Sequence, residues 1–151
     1  MKIHKIYREQ FVPKDIEQVF SFFERPENLS IITPPELNFK IITPSPIPMR
    51  QGTLIDYVIR VFGLPFRWTT YISVYEPPKI FVDVQIRGPY SFWHHTHRFF
   101  PKDKGTVIVD EVLYSLPFGF IGEIVHLISV RKSLERIFNY RSQKIREIFE
   151  Q

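Results

Sequence analysis

The sequence contains no cysteine among its 151 residues, which excludes disulfides, thiolate metal ligands and thiol nucleophiles together. It also lacks a long apolar run. The most apolar stretch, residues 116–130, is too short to span a bilayer and contains Glu123 and His126. No apolar segment of the secretory type follows the first basic residues. We therefore expect a cytoplasmic protein without stable membrane insertion.

Charge of one sign is not concentrated anywhere along the chain. There are 20 Lys and Arg residues and 16 Asp and Glu residues, interspersed throughout, for a formal net charge of +4. This balance does not indicate a nucleic-acid partner. The six glycines are isolated or lie in turns, so no phosphate-binding loop is present, and neither Ser91 nor Ser129 stands in a nucleophile elbow. We expect no nucleic-acid partner and no cofactor.

Aromatic residues are abundant instead. Fifteen Phe and seven Tyr exceed what the core of a chain this long needs, and hydrophobic residues make up 44% of the sequence. The length corresponds to a single domain covering residues 1–151. An aromatic-rich interior either packs solidly or lines a pocket, and composition alone leaves both alternatives open.

Proline and glycine divide the chain into segments with two kinds of periodicity. Residues 3–12 are strand-like, residues 14–23 have helical spacing and residues 28–32 form a second short helix. Further strand-like segments cover residues 37–43, 53–62, 66–76, 79–87, 91–100 and 106–116. From residue 121 to residue 149 the apolar positions follow the i, i+3, i+4 rule, which predicts one long amphipathic helix.

This order of elements predicts an α+β fold. The connections between the later strands are short, so neighbouring strands must be antiparallel. A sheet of six or seven strands needs one face covered, and only the last helix is long enough to cover it. The sheet must therefore curl around that helix, which leaves a hollow wherever side chains do not meet.

Three parts of the sequence resemble a known superfamily. Residues 11–23, followed by Pro26-Glu27-Asn28-Leu29, resemble the opening of bacterial members of the SRPBCC superfamily, where an "A/V-P-x-E-x-V-F" segment leads into a short helix and a "P-x-x-L" turn. Residues 88–99 and 110–119 resemble a subgroup of uncharacterised bacterial members. The superfamily includes START lipid-transfer domains, birch-pollen-allergen proteins and aromatic polyketide cyclases. The resemblance implies a helix-grip fold, and it predicts the fold better than the function.

Alternation along the strand 91–100 separates an inner face from an outer one. Trp93, His95, His97 and Phe99 share the face with two large apolar anchors and no permanent charge, so we place that face inside. If residues 102–105 form a four-residue hairpin loop, Pro101 faces Thr106. Counting back from that pair predicts four further pairs: Phe99 with Ile108, His97 with Asp110, His95 with Val112 and Trp93 with Tyr114.

The inner faces of three strands together define the predicted site. Phe81 suggests that Asp83 and Gln85 of the strand 79–87 also point inward. We predict that the ligand-binding residues are Asp83, Gln85, Trp93, His95, His97, Phe99, Asp110, Val112 and Tyr114, with Phe118 and Phe120 at the cavity entrance. The polar members of this set are equally consistent with a buried network that satisfies only itself.

Three functions remain open at this point. The leading hypothesis is a carrier or binding protein for a hydrophobic small molecule, such as a lipid, polyketide, isoprenoid or aromatic metabolite, in a cavity of roughly 300 Å³ or more. The alternative is an enzyme resembling polyketide cyclases and dehydratases, with His97 as general base, Asp110 orienting it and Tyr114 as proton donor. The third is a protein-interaction or membrane-docking module that uses the proline-containing loops and Phe118-Gly119-Phe120, and no protein partner is indicated.

A metal site is the weakest interpretation of the two histidines. Two His at i and i+2 on a strand, with a carboxylate opposite, could ligate zinc. No third His falls on the face of His95 and His97, so we predict no metal.

Overall fold

The computed structural model describes residues 1–61 and 63–150. The predicted strand 53–62 ends at Phe62 and the predicted domain ends at Gln151, and both of these residues lie outside the described part. In chain order the elements are β1 (His4–Val12), α1 (Ile16–Phe23), two 3-10 turns (Pro26–Ser30 and Pro35–Leu37), β2 (Lys40–Ile41), β3 (Leu54–Val61), β4 (Leu64–Glu76), β5 (Ile80–Arg87), β6 (Phe92–Lys102), β7 (Gly105–Ser115), α2 (Gly119–Val125), a π-helical segment (His126–Val130) and α3 (Arg131–Phe149).

The seven strands form one antiparallel sheet in the order β1-β7-β6-β5-β4-β3-β2. This confirms the predicted α+β helix-grip fold with two short helical segments after the first strand. One predicted strand is mostly absent: of residues 37–43, only the pair Lys40–Ile41 joins the sheet. A 3-10 turn occupies Pro35–Leu37, and Asn38 ends it in the left-handed conformation with φ 51°, so the chain becomes extended only afterwards.

The hairpin between β6 and β7 is tighter than predicted. Lys102 pairs with Gly105, which leaves a two-residue turn of Asp103 and Lys104 rather than a four-residue loop. Both turn residues have positive φ, 47° and 64°, as a type I′ turn requires. Pro101 still faces Thr106, and the four pairs predicted above are all present, because shortening the loop by one residue on each strand leaves the register unchanged.

Helix α1 closes one end of the interior. Asp15 caps its N-terminus by accepting a hydrogen bond of 2.9 Å from the backbone N–H of Gln18. The buried stripe of Val19, Phe20 and Phe23 then packs into an apolar core, whose other buried members include Phe99, Ile108, Ile145 and Phe149. This apolar core therefore closes one end of the sheet, and Phe23 lies at its border with the rest of the interior.

The C-terminal helical region covers the concave face of the sheet. Its buried positions on α3 are Leu134, Phe138, Arg141, Ile145 and Phe149, which follow the helical spacing of the sequence. The long helix predicted for residues 121–149 is present, but a π-helical turn at His126–Val130 divides it. Among the described residues, none of the helices combines the length and the apolar character that crossing a bilayer demands.

Candidate functional site

A cavity lies between α3 and the concave face of the sheet. Its volume is about 170 Å³, and aromatic side chains form much of its wall, including Phe23, Tyr57, Trp68, Tyr90, Trp93 and Phe138. This volume is below the roughly 300 Å³ expected from the sequence for a ligand pocket. An apolar cavity of about 150 Å³ holds one benzene molecule, so the main cavity alone accommodates a single ring.

A second, more apolar cavity adjoins the first. It has a volume of about 260 Å³ and lies beneath α2 and the turn before it, with Leu64, Phe66 and Phe118 in its wall. Val61, Tyr90 and Val130 line both cavities. The two cavities are therefore neighbours that share part of their walls.

Two histidines and two aspartates form a crossed arrangement at one side of the main cavity. The sheet register sets Asp83 opposite His95, and sets His97 opposite Asp110. The short hydrogen bonds run diagonally instead: His95 Nε2 donates to Asp110 Oδ1 at 2.7 Å, and His97 Nε2 donates to Asp83 Oδ2 at 2.6 Å. The directly opposed pair, His97 Nδ1 and Asp110 Oδ1, is 3.5 Å apart. The predicted neighbours thus meet, but each imidazole binds the carboxylate of the other pair.

Helix α3 contributes a third charged group to this arrangement. Arg141 Nη2 donates a hydrogen bond of 3.1 Å to Asp110 Oδ1, and both side chains are buried. The guanidinium also lies over the ring of Phe23, with 5.3 Å between Cζ and the ring centroid. Asp110 is therefore held by a histidine of its own sheet and by an arginine of the covering helix.

The electrostatics of the network favour ionised carboxylates and a neutral His97. Burial opposes ionisation of Asp110, but Arg141 and His95 outweigh it and hold the pKa of that carboxyl well below its usual range. Burial likewise opposes ionisation of Asp83, and the two histidines nevertheless lower its pKa. Burial, reinforced by neighbouring His95, lowers the pKa of His97 to about 4, although both aspartates oppose this shift. At neutral pH His97 therefore carries its proton on Nε2 and a free lone pair on Nδ1.

Three residues of the cavity wall each carry a buried polar atom that has no hydrogen-bonding partner among the described residues. These atoms are Trp68 Nε1, His97 Nδ1 and Arg141 Nε. The first and third are N–H donors, and the Nδ1 of neutral His97 is an acceptor. A buried polar group left unpaired costs about 1–3 kcal/mol, so a hydrogen bond from water or a bound molecule to any of these atoms would be favourable.

Two groups of side chains bring potential metal ligands together. One is Asp83, His95 and His97, and the other is His4, Glu123 and His126. In both groups the imidazole rings are stacked, with centroids 3.7 Å apart at 26° in the first and 3.6 Å apart at 20° in the second. An imidazole binds a metal in the plane of its ring at about 2.0–2.1 Å, and two nearly parallel rings at this spacing cannot both do so for one ion without rotating. Both groups fit hydrogen bonding better than coordination.

Only part of the predicted ligand-binding set lines the main cavity. Asp83, Trp93, His95 and His97 line it. Asp110 and Val112 are buried on the same sheet face but are not in the cavity wall. Phe99 belongs to the filled core beside α1 because it packs against Phe20 and Phe23.

The remaining predicted residues have other surroundings. Gln85 holds the β5–β6 connection, since its side chain bonds both the N–H and the carbonyl of Tyr90. Tyr114 Oη bonds His126 Nε2 at 2.7 Å and does not line either cavity. Phe118 lines the second cavity at its outer edge, whereas Phe120 points away from both.

Sequence reasoning missed several members of the cavity wall. Tyr57, Trp68 and Tyr90 were not assigned to it because the faces of β3 and β4, and of the turn before β6, were not worked out. Arg141 falls on the i, i+3, i+4 stripe of the last helix. An arginine among apolar residues of such a stripe is the available signal, because a buried guanidinium needs a carboxylate partner.

The observed architecture matches the fold class that the sequence predicted. A seven-stranded antiparallel sheet holding a long C-terminal helix on its concave face is a helix-grip fold. No protein-family model matches the chain, and no curated protein matches its sequence.

Solved structures show the same fold over nearly the whole chain. A protein of Chromobacterium violaceum superposes with a TM-score of 0.74 at 13% identity, covering 98% of this chain and 99% of its own. An aromatase/cyclase from Streptomyces sp. R1128 gives 0.69 at 14% identity, with 97% and 96% covered. A major latex-like protein from Panax ginseng gives 0.70 at 10% identity, with 97% of both chains covered. These superpositions show that the chain shares its fold with the three proteins. At such low identities they do not show a shared function, which has to be argued from the residues of this chain.

Proposed function

We propose that this protein binds a small, mainly apolar molecule in the main cavity, and that the ligand carries a hydrogen-bond acceptor. The observation that carries the proposal is that three residues of a mainly apolar wall each hold a buried polar atom without a protein partner: the N–H donors Trp68 Nε1 and Arg141 Nε, and the acceptor His97 Nδ1. Ligand sites combine an apolar lining with a few polar groups in this manner. A carbonyl, carboxylate or phenolate oxygen would satisfy a donor that the protein leaves unpaired.

The volumes limit the ligand further. The main cavity of about 170 Å³ fits one ring, and a longer molecule would place its apolar remainder in the second cavity of about 260 Å³. Among the candidate classes, a substituted aromatic metabolite fits the first cavity alone. A lipid, polyketide or isoprenoid would need both.

The two indole groups of the chain give a direct test. Trp68 and Trp93 are its only tryptophans, and both line the main cavity. We expect acetophenone to move the Trp68 indole N–H resonance in a ¹H–¹⁵N NMR titration. The isosteric hydrocarbon α-methylstyrene, which lacks the carbonyl oxygen, should perturb the cavity without that downfield shift. Trp68→Phe assigns the resonance and should remove the preference for the ketone.

Filling the cavity provides the matched control. Ile137 lines the cavity and Ile31 does not, so Ile137→Phe should weaken binding of both probes while Ile31→Phe leaves it unchanged. Native mass spectrometry of the purified protein should also show a bound mass. The proposal would be ruled out if neither probe changed the indole chemical shifts and the purified protein carried no bound molecule.

A second candidate function is catalysis by His97 in the same cavity. A neutral imidazole has the protonation state of a general base; Asp83 rather than Asp110 holds the Nε2–H of His97, and its Nδ1 lies 3.5 Å from Asp110 Oδ1. Tyr114 is not in the cavity wall, and the tyrosines that line it are Tyr57 and Tyr90. Hydrogen–deuterium exchange at the methyl group of acetophenone in D₂O tests this role. The wild type should accelerate the exchange and His97→Gln should not, with ligand binding retained in both.

A further inference from the structure

The surface of α2 and the π-helical segment is apolar and exposed. Phe118 is 81% exposed, Phe120 79%, Ile121 65%, Leu127 72% and Ile128 67%; these five residues are called the apolar helix patch below. A helix that is apolar nearly all round is expected where it is covered by protein or lipid. Among the described residues nothing covers these five side chains, and exposed groups of this size and number mark an interaction surface.

The charges around the patch are mainly basic. Arg131 and Lys132 follow the π-helical segment directly and are exposed, and Lys2 lies at the near end of β1. The position of Lys2 follows from its neighbour His4, whose ring stacks on His126 at 3.6 Å. Lys2 and Lys132 form no ion pair among the described residues, whereas Arg131 contacts Glu135 at 3.6 Å.

The one acid within this region is already paired. Glu123 is the only Asp or Glu between residues 117 and 130, and its Oε1 accepts a hydrogen bond of 2.7 Å from His4 Nε2. The patch therefore presents apolar side chains with cations at its edge and no unpaired anion of its own.

We propose that the apolar helix patch docks on the surface of an anionic lipid bilayer. Phe118, Phe120 and Leu127 enter the boundary between headgroups and acyl chains, and the basic residues at the edge meet the lipid phosphates. Charge decides between this occupant and a second copy of the chain. A two-fold contact through the patch would bring two basic edges together, whereas anionic lipids complement them.

The position of the second cavity fits this orientation. Phe118 and Ile121 belong to the patch and also line that cavity, which shares Val61, Tyr90 and Val130 with the main one. On a bilayer, the second cavity would therefore face the lipid. Docking requires only the apolar helix patch and its basic edge. Its test therefore does not depend on what the main cavity binds.

Vesicle binding tests the proposal with the full chain. We expect the wild type to co-sediment with vesicles of phosphatidylcholine and phosphatidylglycerol in equal parts, and more weakly with pure phosphatidylcholine. Raising the salt from about 0.05 M to about 0.5 M should lower the partition coefficient on mixed vesicles roughly tenfold. Lys2→Gln combined with Lys132→Gln should reduce binding to mixed vesicles and leave binding to phosphatidylcholine unchanged.

Substitutions on the apolar helix patch distinguish the contribution of apolar insertion to vesicle binding from that of the basic residues. Phe120→Glu combined with Leu127→Glu should lower the partition coefficient at least roughly tenfold, because two exposed apolar anchors become anions. Phe100→Glu is the matched control, since Phe100 is a half-exposed aromatic near the β6–β7 turn, far along the sheet from the patch. Circular dichroism should show an unchanged melting temperature for the double variant, as both positions face solvent.

A spectroscopic measurement gives an answer that does not depend on a loss of binding. In Phe120→Trp the new indole is exposed while Trp68 and Trp93 are buried. Phospholipids brominated in the acyl chains should quench its fluorescence. Absence of wild-type binding to mixed vesicles, undiminished binding of the double Glu variant, or an unquenched Trp at position 120 would each overturn the proposal. Concentration-dependent dimers that the double Glu variant abolishes would assign the patch to a second copy instead.

Discussion

The lowered pKa of His97 predicts how the free energy of unfolding should depend on pH. Burial lowers the pKa of His97 from 6.5 to about 4 in the folded protein. Between these values the unfolded chain binds a proton that the native protein does not, so acid favours unfolding. Above pH 6.5 His97 is neutral in both states and the shift contributes nothing; as the pH falls from 6.5 towards 4, the native state is progressively destabilised. A full shift of this size corresponds to about 3 kcal/mol.

His97→Gln isolates this contribution. The Gln amide can still donate an N–H to Asp83 in place of His97 Nε2, but it does not titrate. We expect the free energy of unfolding of the wild type to fall between pH 7 and pH 4 by about 3 kcal/mol more than that of the variant. Other groups titrate in both proteins and cancel from the difference. Asp83 and Asp110, whose pKa values are lowered, add their own loss of stability only below about pH 4.

Urea unfolding followed by tryptophan fluorescence at several pH values measures the difference, and NMR titration reports the pKa of His97 directly. Phe99→Leu is a suitable control, because it weakens the same inner face of β6 without removing a titrating group and should lower stability equally at every pH. Wild-type and His97→Gln curves that stay parallel from pH 7 to pH 4 would refute the reasoning. So would a His97 resonance that titrates above pH 6.5.

Two further substitutions test other parts of the structure. Arg141→Met leaves the buried Asp110 carboxylate without its guanidinium and should cost about 3–5 kcal/mol at pH 7 in urea unfolding; the assignment fails if adding Asp110→Asn restores none of the loss. Gly105→Ala would put a Cβ atom 2.5 Å from the carbonyl oxygen of Val12 and should cost about 1–3 kcal/mol in thermal melting. A melting temperature equal to that of the wild type would show that β1 and β7 can separate there at no cost.

The fold was largely predictable because most of its connections are local. Proline and glycine mark the strand ends, and a hairpin count over residues 102–105 was enough to pair His97 with Asp110. The type I′ turn was not foreseen because Asp103 and Lys104 lack the Asn-Gly or Asp-Gly signal of such turns. Residues 37–43 were assigned to a strand on composition, but only Lys40–Ile41 pairs with β3, and that pairing is not set by a tight turn.

The site was less predictable because its geometry depends on how α3 lies over the sheet. Strand register identifies which residues are opposite, yet the hydrogen bonds of His95 and His97 run to the diagonal carboxylates. Arg141 comes from an element more than thirty residues away in sequence and takes part of the bonding capacity of Asp110. No periodicity in the sequence gives the crossing position of a helix on a sheet.

The distribution of paired and unpaired polar atoms separates structural from ligand-facing residues. Asp110 Oδ1 receives hydrogen bonds from His95 and Arg141, so removing Asp110 leaves two buried donors without their acceptor and should act first on stability. Trp68 Nε1, in contrast, has no protein partner to lose. Replacing Trp68 with Phe keeps the ring in the wall and removes only the donor, so its effect should fall on ligand preference. If the polar residues of the interior served only the folded structure, both substitutions would change stability, and neither would change ligand preference.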